Sequence, residues 1–364
     1  MDPRTLQPSD LNFDLTVRHF SPAWFAAVMG TGVVPLALSF TGADWTPGAA
    51  RIFVPLAALM LVLALVPWLI KHLVHRLDSD KDFDHPVAAN FLPTLPIALV
   101  VLALDLLKFG ELFLPAAAAQ RLAWWLWVVG SAGIYVLGFA VLLRIYRHEG
   151  IQVGHANFGW FIPPVSKLII PVAGFELAGI FPAWQDGIFA FSAASLGVGF
   201  FLYLFVGAAV YHRYVYAGLP AEKFAATYFI GVAPTAIIAV ALFKLVHLVE
   251  HHPLLGLGPS FAPLAKLLIL VCWGLAAWWF LMALLVVGYT RIRRGLPFAL
   301  SWWAFTFPSG ALAIASGIAA KVSGVAAIRI FYNGVMVFLL VIWLVVFVLT
   351  VRGLVSRKLL LPAH

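Results

Sequence analysis

Ten apolar runs dominate this sequence, and each is long enough to cross the roughly 30 Å of hydrocarbon in a lipid bilayer. The runs cover residues 20–40, 51–74, 87–107, 121–145, 159–181, 187–212, 223–249, 262–289, 298–320 and 329–351. Charged residues make up only 10% of the chain, against about 25% in a typical soluble domain. Lipid offers no partner for backbone N–H and C=O groups, so apolar runs of this length are expected to be helical. The sequence therefore predicts an all-α integral membrane protein with ten transmembrane helices.

The charges between the runs predict the orientation of the chain. An even number of spans puts both termini on one side of the membrane, and that side holds fifteen Lys and Arg residues against five on the other. By the positive-inside rule, both termini face the cytoplasm of a cell whose inner (plasma) membrane holds the protein. No signal-peptide pattern is visible at the start. We expect a cytoplasmic N-terminal segment at 1–19, one transmembrane domain at 20–352 and a cytoplasmic tail at 353–364.

Several classes of function find no support in the sequence. The net charge of +8 follows from the basic cytoplasmic side, and no basic soluble domain offers a surface for nucleic acid. Cys272 is the single cysteine, so neither disulfides nor a cysteine metal cluster is expected. A phosphate-binding loop of the G-x-x-x-x-G-K-[ST] type is absent from the sequence. We therefore expect no cofactor and no metal.

Proline separates the spans into two groups. Proline removes a backbone N–H and leaves a carbonyl unpaired, which lipid does not tolerate unless protein or a water-filled cavity covers that carbonyl. The fourth, sixth and tenth spans contain no proline, and those of the second and eighth lie nearer the span ends. The odd-numbered spans carry prolines at their middles or first halves, at Pro35, Pro93, Pro96, Pro163, Pro164, Pro171, Pro234 and Pro308. This pattern predicts five inner, kinked helices around a central pore and five outer helices. Five consecutive hairpins would form an internal repeat, although residue identities do not show one.

Charged residues within spans favour the same arrangement. Lys167 and Glu176 lie in the fifth span and Lys244 in the seventh, and a charge deep in the bilayer normally faces a partner or an aqueous path. Lys167 and Lys244 are candidates to stabilise a dehydrated anion. Alternatively, each extends to the membrane surface or pairs with Glu176. Lys167 and Glu176 lie on opposite faces of one straight helix and would meet only if Pro171 rotated one half of the span relative to the other, whereas a Lys244–Glu176 pair across helices stays open.

Five segments of the odd spans resemble, in order and spacing, those of a known family. They are FSPAWFAAVMGTG at 20–32, HPVAANFLPTLPIAL at 85–99, PPVSKLIIPVAG at 163–174, YFIGVAPTAI at 228–237 and SWWAFTFPSGALAIAS at 301–316. The family is that of tellurite-resistance/dicarboxylate transporters, which includes TehA-like proteins, plant slow anion channels and fungal malate and sulfite transporters. The resemblance implies one pore per subunit, enclosed by five inner helices, and usually a homotrimer.

The resemblance also implies a gate. The family's central phenylalanine lies just before the kink of the ninth helix, and it matches Phe307. Pro308 frees the carbonyl of Ala304 and bends the helix there, and a bulky apolar ring in a narrow pore gates by dewetting. Phe305 is the alternate, since it lies about 200° around the helix and the two rings cannot both face the pore.

Two polar residues are further candidates for the anion path. Thr31, between Gly30 and Gly32, either faces the pore on a softened backbone or belongs to close small-residue packing. Asn90, three residues before Pro93, either donates its amide to an anion or caps the kinked turn.

A competing hypothesis comes from HLVEH at 247–251, which spells the H-x-x-E-H pattern of some zinc peptidases. The pattern closes an apolar helix, runs into His252-Pro253 and has no evident third ligand, so a metalloenzyme built on His247, Glu250 and His251 is the remote alternative. The main expectation is transport of anions, with C4-dicarboxylates of the malate and succinate class first and small inorganic anions such as sulfite, nitrate and chloride second.

Overall fold

The computed structural model describes residues 7–85, 88–147, 149–251 and 261–361. Twelve α-helices occur in these ranges, joined by short 3₁₀ segments and turns, and the described residues contain no β-strand. The helices are α1 Phe13–Arg18, α2 Phe25–Leu38, α3 Thr46–Val74, α4 Arg76–Asp84, α5 Thr94–Phe109, α6 Ala116–Arg147, α7 Ile162–Ile180, α8 Gln185–Tyr216, α9 Ala233–His251, α10 Phe261–Arg293, α11 Thr306–Ser323 and α12 Ala326–Val355.

Each of the ten predicted spans corresponds to one helical segment. Within the described ranges, nine segments are long and apolar enough to cross a membrane, and the first span is a shorter apolar helix at Pro22–Leu38. The outer segments extend beyond their predicted bounds: α6 reaches from Ala116 to Arg147, where the sequence indicated 121–145. The predicted fold class, an all-α membrane protein, is confirmed.

Alternate spans form an inner ring and an outer ring. We call α2, α5, α7, α9 and α11 the inner helices and α3, α6, α8, α10 and α12 the outer helices. Each inner helix packs against two other inner helices, so that the ring closes between α11 and α2, and each also packs on the outer helix that follows it in the chain. In the most apolar stretch of the four later inner segments, 83% to 94% of the residues are buried, against 17% to 33% in the outer helices. The prediction from proline parity is therefore confirmed.

Every inner helix begins after a 3₁₀ segment, and of the outer helices α8 also does, after Pro182–Trp184. A 3₁₀ segment leads directly, or within two residues, into each inner α-helix; these segments are Pro22–Trp24, Ala88–Phe91, Phe158–Phe161, Glu222–Val232 and Leu300–Phe305. Pro93, Pro234 and Pro308 lie within two residues of the point where the α-helix starts. Proline suits that position because the first N–H groups of a helix have no partner within it.

This arrangement corrects the expected geometry at Pro308. Ala304 belongs to the 3₁₀ segment Leu300–Phe305, and α11 begins at Thr306. The break is thus a change from 3₁₀ to α geometry rather than a bend inside one α-helix. Pro35 and Pro171 do lie inside α-helices, as expected for kinks. Proline is not restricted to the inner ring, since α3 continues through Pro55 and Pro67.

The ends of the predicted domains are partly described. The polar stretch after α3 is a surface helix, α4, and the predicted N-terminal segment contains α1. At the other end, α12 continues to Val355, three residues past the predicted domain boundary. Residues 1–6 of the predicted N-terminal segment, residues 362–364 of the predicted tail, Pro86, and His252-Pro253 lie outside the described residues.

Candidate functional site

Two cavities follow one another inside the inner ring. The near chamber lies at the N-terminal ends of the inner helices, and the far chamber lies toward their C-terminal ends. All five inner segments contribute to each chamber. Among the described residues that line them, none is charged, and Thr94 and Ser301 of the near chamber carry the polar side chains. The ring therefore encloses an apolar path within one chain.

The lining residues form layers that reveal the internal repeat. Met29, Ile97, Val165 and Ala233 line the near chamber at successive intervals of 68 residues, and Phe307 follows Ala233 by 74. The same intervals connect the two layers of the far chamber. These are Val33, Val101, Ile169, Ile237 and Ala311, and then Leu36, Leu104, Val172, Val240 and Ile314. Five hairpins of nearly equal length thus place equivalent residues at equal depth around the path.

Phe307 occupies the boundary between the chambers. Of the described lining residues, it alone borders both, and it is the one aromatic member of its layer. Phe305 lines neither chamber; its ring lies 4.8 Å from that of Phe229, which stacks at 5.7 Å on Phe338 of α12. The two phenylalanines therefore face opposite sides of the inner ring. Phe307 has the position required of a gate, and Phe305 is part of an aromatic cluster that joins the inner ring to the outer ring.

Lys244 lies at the far mouth of the path. Glu176 and Lys244 follow the lining residues Val172 and Val240 by four positions, which is one helical turn, so they continue the same faces beyond the far chamber. Lys244 Nζ donates to Glu176 Oε2 in an ion pair between α9 and α7, and the side chains are 30% and 26% exposed. The pairing that the sequence left open is present. Lys108 occupies the equivalent position of α5. We call Lys108, Glu176 and Lys244 the mouth layer.

Lys167 has a different environment. Its side chain is 5% exposed and its Nζ lies against Gly138 of the outer helix α6, at a place where any larger residue would collide with it. Lys167 is not among the residues that line either chamber. This geometry gives no support to the predicted anion-path role, because the ammonium points between the rings rather than into the pore.

Thr31 and Asn90 also lie off the path. Thr31 accepts a hydrogen bond from Trp343 Nε1 at 3.1 Å, and its hydroxyl lies 3.4 Å from the sulfur of Met60, so it contacts two outer helices. Asn90 is buried in the 3₁₀ segment before α5 and borders neither chamber. The packing alternative for Thr31 fits its position better than contact with an anion, and the position of Asn90 gives no support to such a contact.

Sequence reasoning missed Asp105. This residue of α5 is completely buried, and neither carboxylate oxygen has a hydrogen-bond partner in the described structure. It lies two residues before the predicted end of its span, where a charge usually reaches the membrane surface. The repeat that the structure reveals singles it out, since the equivalent residues of the other four inner helices are all alanine: Ala37, Ala173, Ala241 and Ala315.

The histidine pattern does not form a metal centre in the described ranges. The rings of His247 and His251 meet edge to face at 4.6 Å, and His251 Nδ1 lies 2.8 Å from the carbonyl oxygen of His247. No group of three or more His, Cys, Asp or Glu side chains among the described residues is placed to hold a metal ion.

Ion pairs fasten the helices on the side of the chain termini. Lys71 Nζ donates to Asp82 Oδ2 at 2.6 Å and to the carbonyl of Phe20 at 2.9 Å, which ties α3 to α4 and to the start of the first span. Desolvation raises the pKa of Asp82 despite the neighbouring ammonium, and burial lowers the pKa of His85. This network lies on the side of the chain termini and lines neither chamber.

Comparison with known proteins gives a consistent result. A family model described as voltage-dependent anion channel matches residues 19–351. An uncharacterized transporter of Methanocaldococcus jannaschii is 30% identical over 84% of this chain and 85% of its own. A malic acid transport protein of Schizosaccharomyces pombe is 23% identical over 95% of this chain and 81% of its own. A sulfite efflux pump of Trichophyton rubrum is 22% identical over 95% and 93%.

Proposed function

Because this chain belongs to the voltage-dependent anion channel family, we propose that each subunit conducts anions through the pore inside its inner ring, with Phe307 as the gate. The family resemblance predicted from the five odd-span segments is confirmed, and the protein is a multi-pass membrane protein for anion transport rather than an enzyme. The observation that carries the proposal is the position of Phe307, which borders both chambers of a path lined by all five inner helices.

The electrostatics of the path favour anions over cations. The five inner α-helices all begin around the near chamber and run away from it, so the positive ends of their dipoles converge there. Each such dipole contributes about 0.3–1 kcal/mol to a nearby anion in exposed sites. Lys108 adds positive charge at the far mouth, where Lys244 is paired with Glu176. A permeating anion is thus stabilised at both ends and held weakly in between, which conduction requires.

Two substrate classes have support from different observations. C4-dicarboxylates such as malate and succinate are favoured by the relative named as a malic acid transport protein, which aligns with 95% of this chain. Monovalent inorganic anions such as nitrate and chloride are favoured by the uncharged walls, because the cost of dehydrating an ion rises with the square of its charge and no lining side chain offsets it. The relative named as a sulfite efflux pump also favours a small inorganic anion. We place C4-dicarboxylates first and sulfite, nitrate and chloride second.

Flux measurements on purified protein test this proposal. Proteoliposomes loaded with buffer are given labelled succinate, malate, sulfite, nitrate or chloride, with and without an imposed pH gradient, and uptake is compared with that of empty liposomes. Uptake of at least one class is expected. Equal uptake in protein-containing and empty liposomes for every anion would contradict the proposal.

We further propose a homotrimer in the inner (plasma) membrane with both termini in the cytoplasm. The trimer rests on the family resemblance, and the orientation rests on the excess of Lys and Arg on the side of the termini. The mass of the protein in detergent, measured by light scattering, tests the trimer. Protease protection of a C-terminal tag in sealed membrane vesicles of known orientation tests the topology.

A further inference from the structure

Asp105 is the one completely buried carboxyl group among the described residues of the inner helices, and it lines neither chamber. Its surroundings give it no compensation, since both oxygens lack a hydrogen-bond donor. At the equivalent position of the other four inner helices an alanine is buried to the same extent, with 0% of its surface exposed. The fold therefore does not need a polar group at this depth, and Asp105 departs from the repeat.

Gly32 on the neighbouring helix α2 makes room for the carboxyl group. A Cβ at Gly32 would lie 2.8 Å from Asp105 Oδ2 and 2.9 Å from a methyl group of Val101, which is shorter than any normal contact. The carboxyl group is thus inserted between two inner helices, against the backbone of α2. A larger residue at position 32 would occupy the space that the carboxyl group now fills.

This position adjoins the far chamber. Val101, one turn before Asp105, and Leu104, directly before it, both line that chamber, as does Val33 directly after Gly32. Asp105 lies behind this wall rather than in it, one turn below the mouth layer that contains Lys108. An anion in the far chamber would therefore have Asp105 as a close neighbour, across one layer of apolar side chains.

None of the described titratable groups on the elements packed around α5 hydrogen-bonds to Asp105 or forms an ion pair with it. Helix α2 carries no such group. Those on the other elements are Arg51, Lys71 and His72 on α3, Lys108 on α5, Glu111 on the turn after it, Arg121, Tyr135, Arg144, Tyr146 and Arg147 on α6, and Lys167 and Glu176 on α7. Lys71 is paired with Asp82 and Glu176 with Lys244, whereas Lys108 is exposed to the far side.

We propose that Asp105 is a proton-binding site coupled to anion occupancy of the far chamber. A carboxylate without donors or a counter-ion is strongly disfavoured in apolar surroundings, so the uncharged acid is the form that fits this site. An anion in the adjoining chamber adds a second negative charge and disfavours the carboxylate further, because like charges repel strongly across a medium of low dielectric constant. By linkage, a bound proton favours the anion as much as the anion favours the proton.

The coupling predicts that acid promotes conduction. When Asp105 loses its proton, its negative charge beside the far chamber opposes entry of an anion. The proposal rests on the proposed function, since it requires the far chamber to lie on the anion path. It adds a second ligand, the proton, and a residue that binds it.

Conductance as a function of pH tests the proposal. Nitrate is the probe, because its charge is the same from about pH 8 to about pH 5, whereas malate and sulfite titrate in that range. We expect the nitrate conductance of the unmodified protein to rise severalfold toward acid pH, measured in planar bilayers. Asp105→Asn, which has the size of the protonated acid and no charge, should conduct at the acid level at every pH. Glu176→Gln is the matched control and should keep the pH response, because Asp105 is intact.

The outcomes separate two failures. A response to pH that persists unchanged in Asp105→Asn, or a conductance of the unmodified protein that does not vary with pH, would overturn the proton site while leaving the anion pore in place. Absence of nitrate conductance at every pH, together with failed uptake of the other anions, would overturn the proposed function and the proton site with it.

A chemical measurement keeps the proposal testable if Asp105→Asn does not fold. A hydrophobic carbodiimide reacts with protonated carboxyl groups in apolar sites, and mass spectrometry of the unmodified protein locates the adduct. Asp105 should be labelled, and bound nitrate should not reduce the labelling, whereas Glu176 should be protected by its ion pair with Lys244. Labelling of Glu176 without Asp105 would contradict the proposal.

Discussion

The inner and outer helices are both apolar, but they lie in different surroundings. The outer helices α6, α8, α10 and α12 run as continuous α-helices of 30 to 33 residues, and most of their residues face outward. The inner α-helices are 14 to 19 residues long, each is preceded by a 3₁₀ segment, and nearly all of their residues are buried. Hydrophobicity therefore identifies which segments enter the membrane, and the shorter, more buried α-helices are the ones that surround the path.

The difference has a physical basis in hydrogen bonding. A helix in contact with lipid must satisfy its backbone groups internally, and a continuous α-helix does so. A helix that a second ring shields from lipid is surrounded by protein on every side. Such a helix tolerates a change from 3₁₀ to α geometry. The change of helix type in the inner ring can thus direct side chains such as Phe307 differently from a regular α-helix. This geometry requires the outer ring, which keeps lipid away from it.

The largest expected effect comes from the two phenylalanines that face opposite sides of the inner ring. Phe307→Ala removes the ring between the two chambers, so it should raise anion conductance severalfold in planar bilayers. Phe305→Leu should leave conductance nearly unchanged, because the side chain packs against Phe229 and lines neither chamber. Equal changes in both variants would show that the ring of Phe307 does not limit conduction.

Much of this architecture could be predicted from the sequence, because helices in lipid have strict requirements. Length and hydrophobicity predicted the spans, and prolines such as Pro234 and Pro308 predicted the inner ring. The direction of individual side chains could not be predicted in the same way. Thr31 and Lys167 lie on inner helices, as expected, yet both contact the outer ring. A helix inside a double ring has an apolar environment on every side, so no polar face indicates its orientation.

The 68-residue repeat shows which side chains of the inner helices point in the same direction. Thr31 and Lys167 are 136 residues apart, which is two intervals of 68, so they occupy equivalent positions that both face outward. Residue identities at such positions differ, and the repeat becomes visible only after the structure shows which residues share a layer. The same comparison singles out Asp105 among four alanines, and Phe307 in a layer with no other aromatic residue.

Accessibility of single cysteines should separate the two faces of the inner helices. With Cys272 replaced by Ser, cysteines at Ala26, Ala233 and Ala311, which line the chambers, should react with a small water-soluble thiol reagent and be protected by a permeant anion. Cysteines at Ala98 and Ala173, on inner helices but outside both linings, should react slowly. Labelling is read by mass spectrometry.

The outer ring supplies the control for this experiment. Cysteines on the lipid-facing sides of α6, α8 and α12 should be almost inert, because a water-soluble reagent does not enter the hydrocarbon. If these positions were labelled as fast as Ala311→Cys, the path would not lie inside the inner ring.

Two glycines of the inner ring and two lipid-facing glycines of the outer ring should respond in opposite ways to alanine. A Cβ at Gly310 would overlap the side chain of Val33, and one at Gly30 would lie 2.9 Å from Cβ of Thr306, so both contacts are between inner helices. Gly310→Ala and Gly30→Ala should destabilise the protein by about 1–3 kcal/mol, the usual cost of overpacking. Thermal unfolding in detergent, followed by tryptophan fluorescence, measures the change as a lower midpoint.

Gly274 and Gly334 of the outer ring are the matched positions, since a Cβ at either would meet no atom within 4 Å. Alanine there should be neutral or stabilising by up to about 1 kcal/mol, because it restricts the unfolded chain and favours helix. A large loss at Gly334→Ala, equal to that at Gly310→Ala, would show that its face of α12 is covered by another subunit, which would sharpen the trimer proposal.

The smallest expected effect is at the far mouth, where the inner helices emerge from the ring. Glu176→Gln releases Lys244 from its partner and removes one negative charge, so the anion conductance should rise. Lys244→Gln should lower it. The pair is partly exposed, and a pair at the surface is worth about 0.2–1 kcal/mol, so each change should be about 1.4- to fivefold at low ionic strength. Both effects should shrink as salt is raised, because the charges at the mouth are then screened.

Lys266→Gln, on the outer helix α10, is the control and should change conductance little. The conductance of each variant is recorded in planar bilayers at two salt concentrations. If the changes in conductance do not depend on salt, Glu176 and Lys244 act through the packing of α7 on α9 and not through the electric field at the mouth.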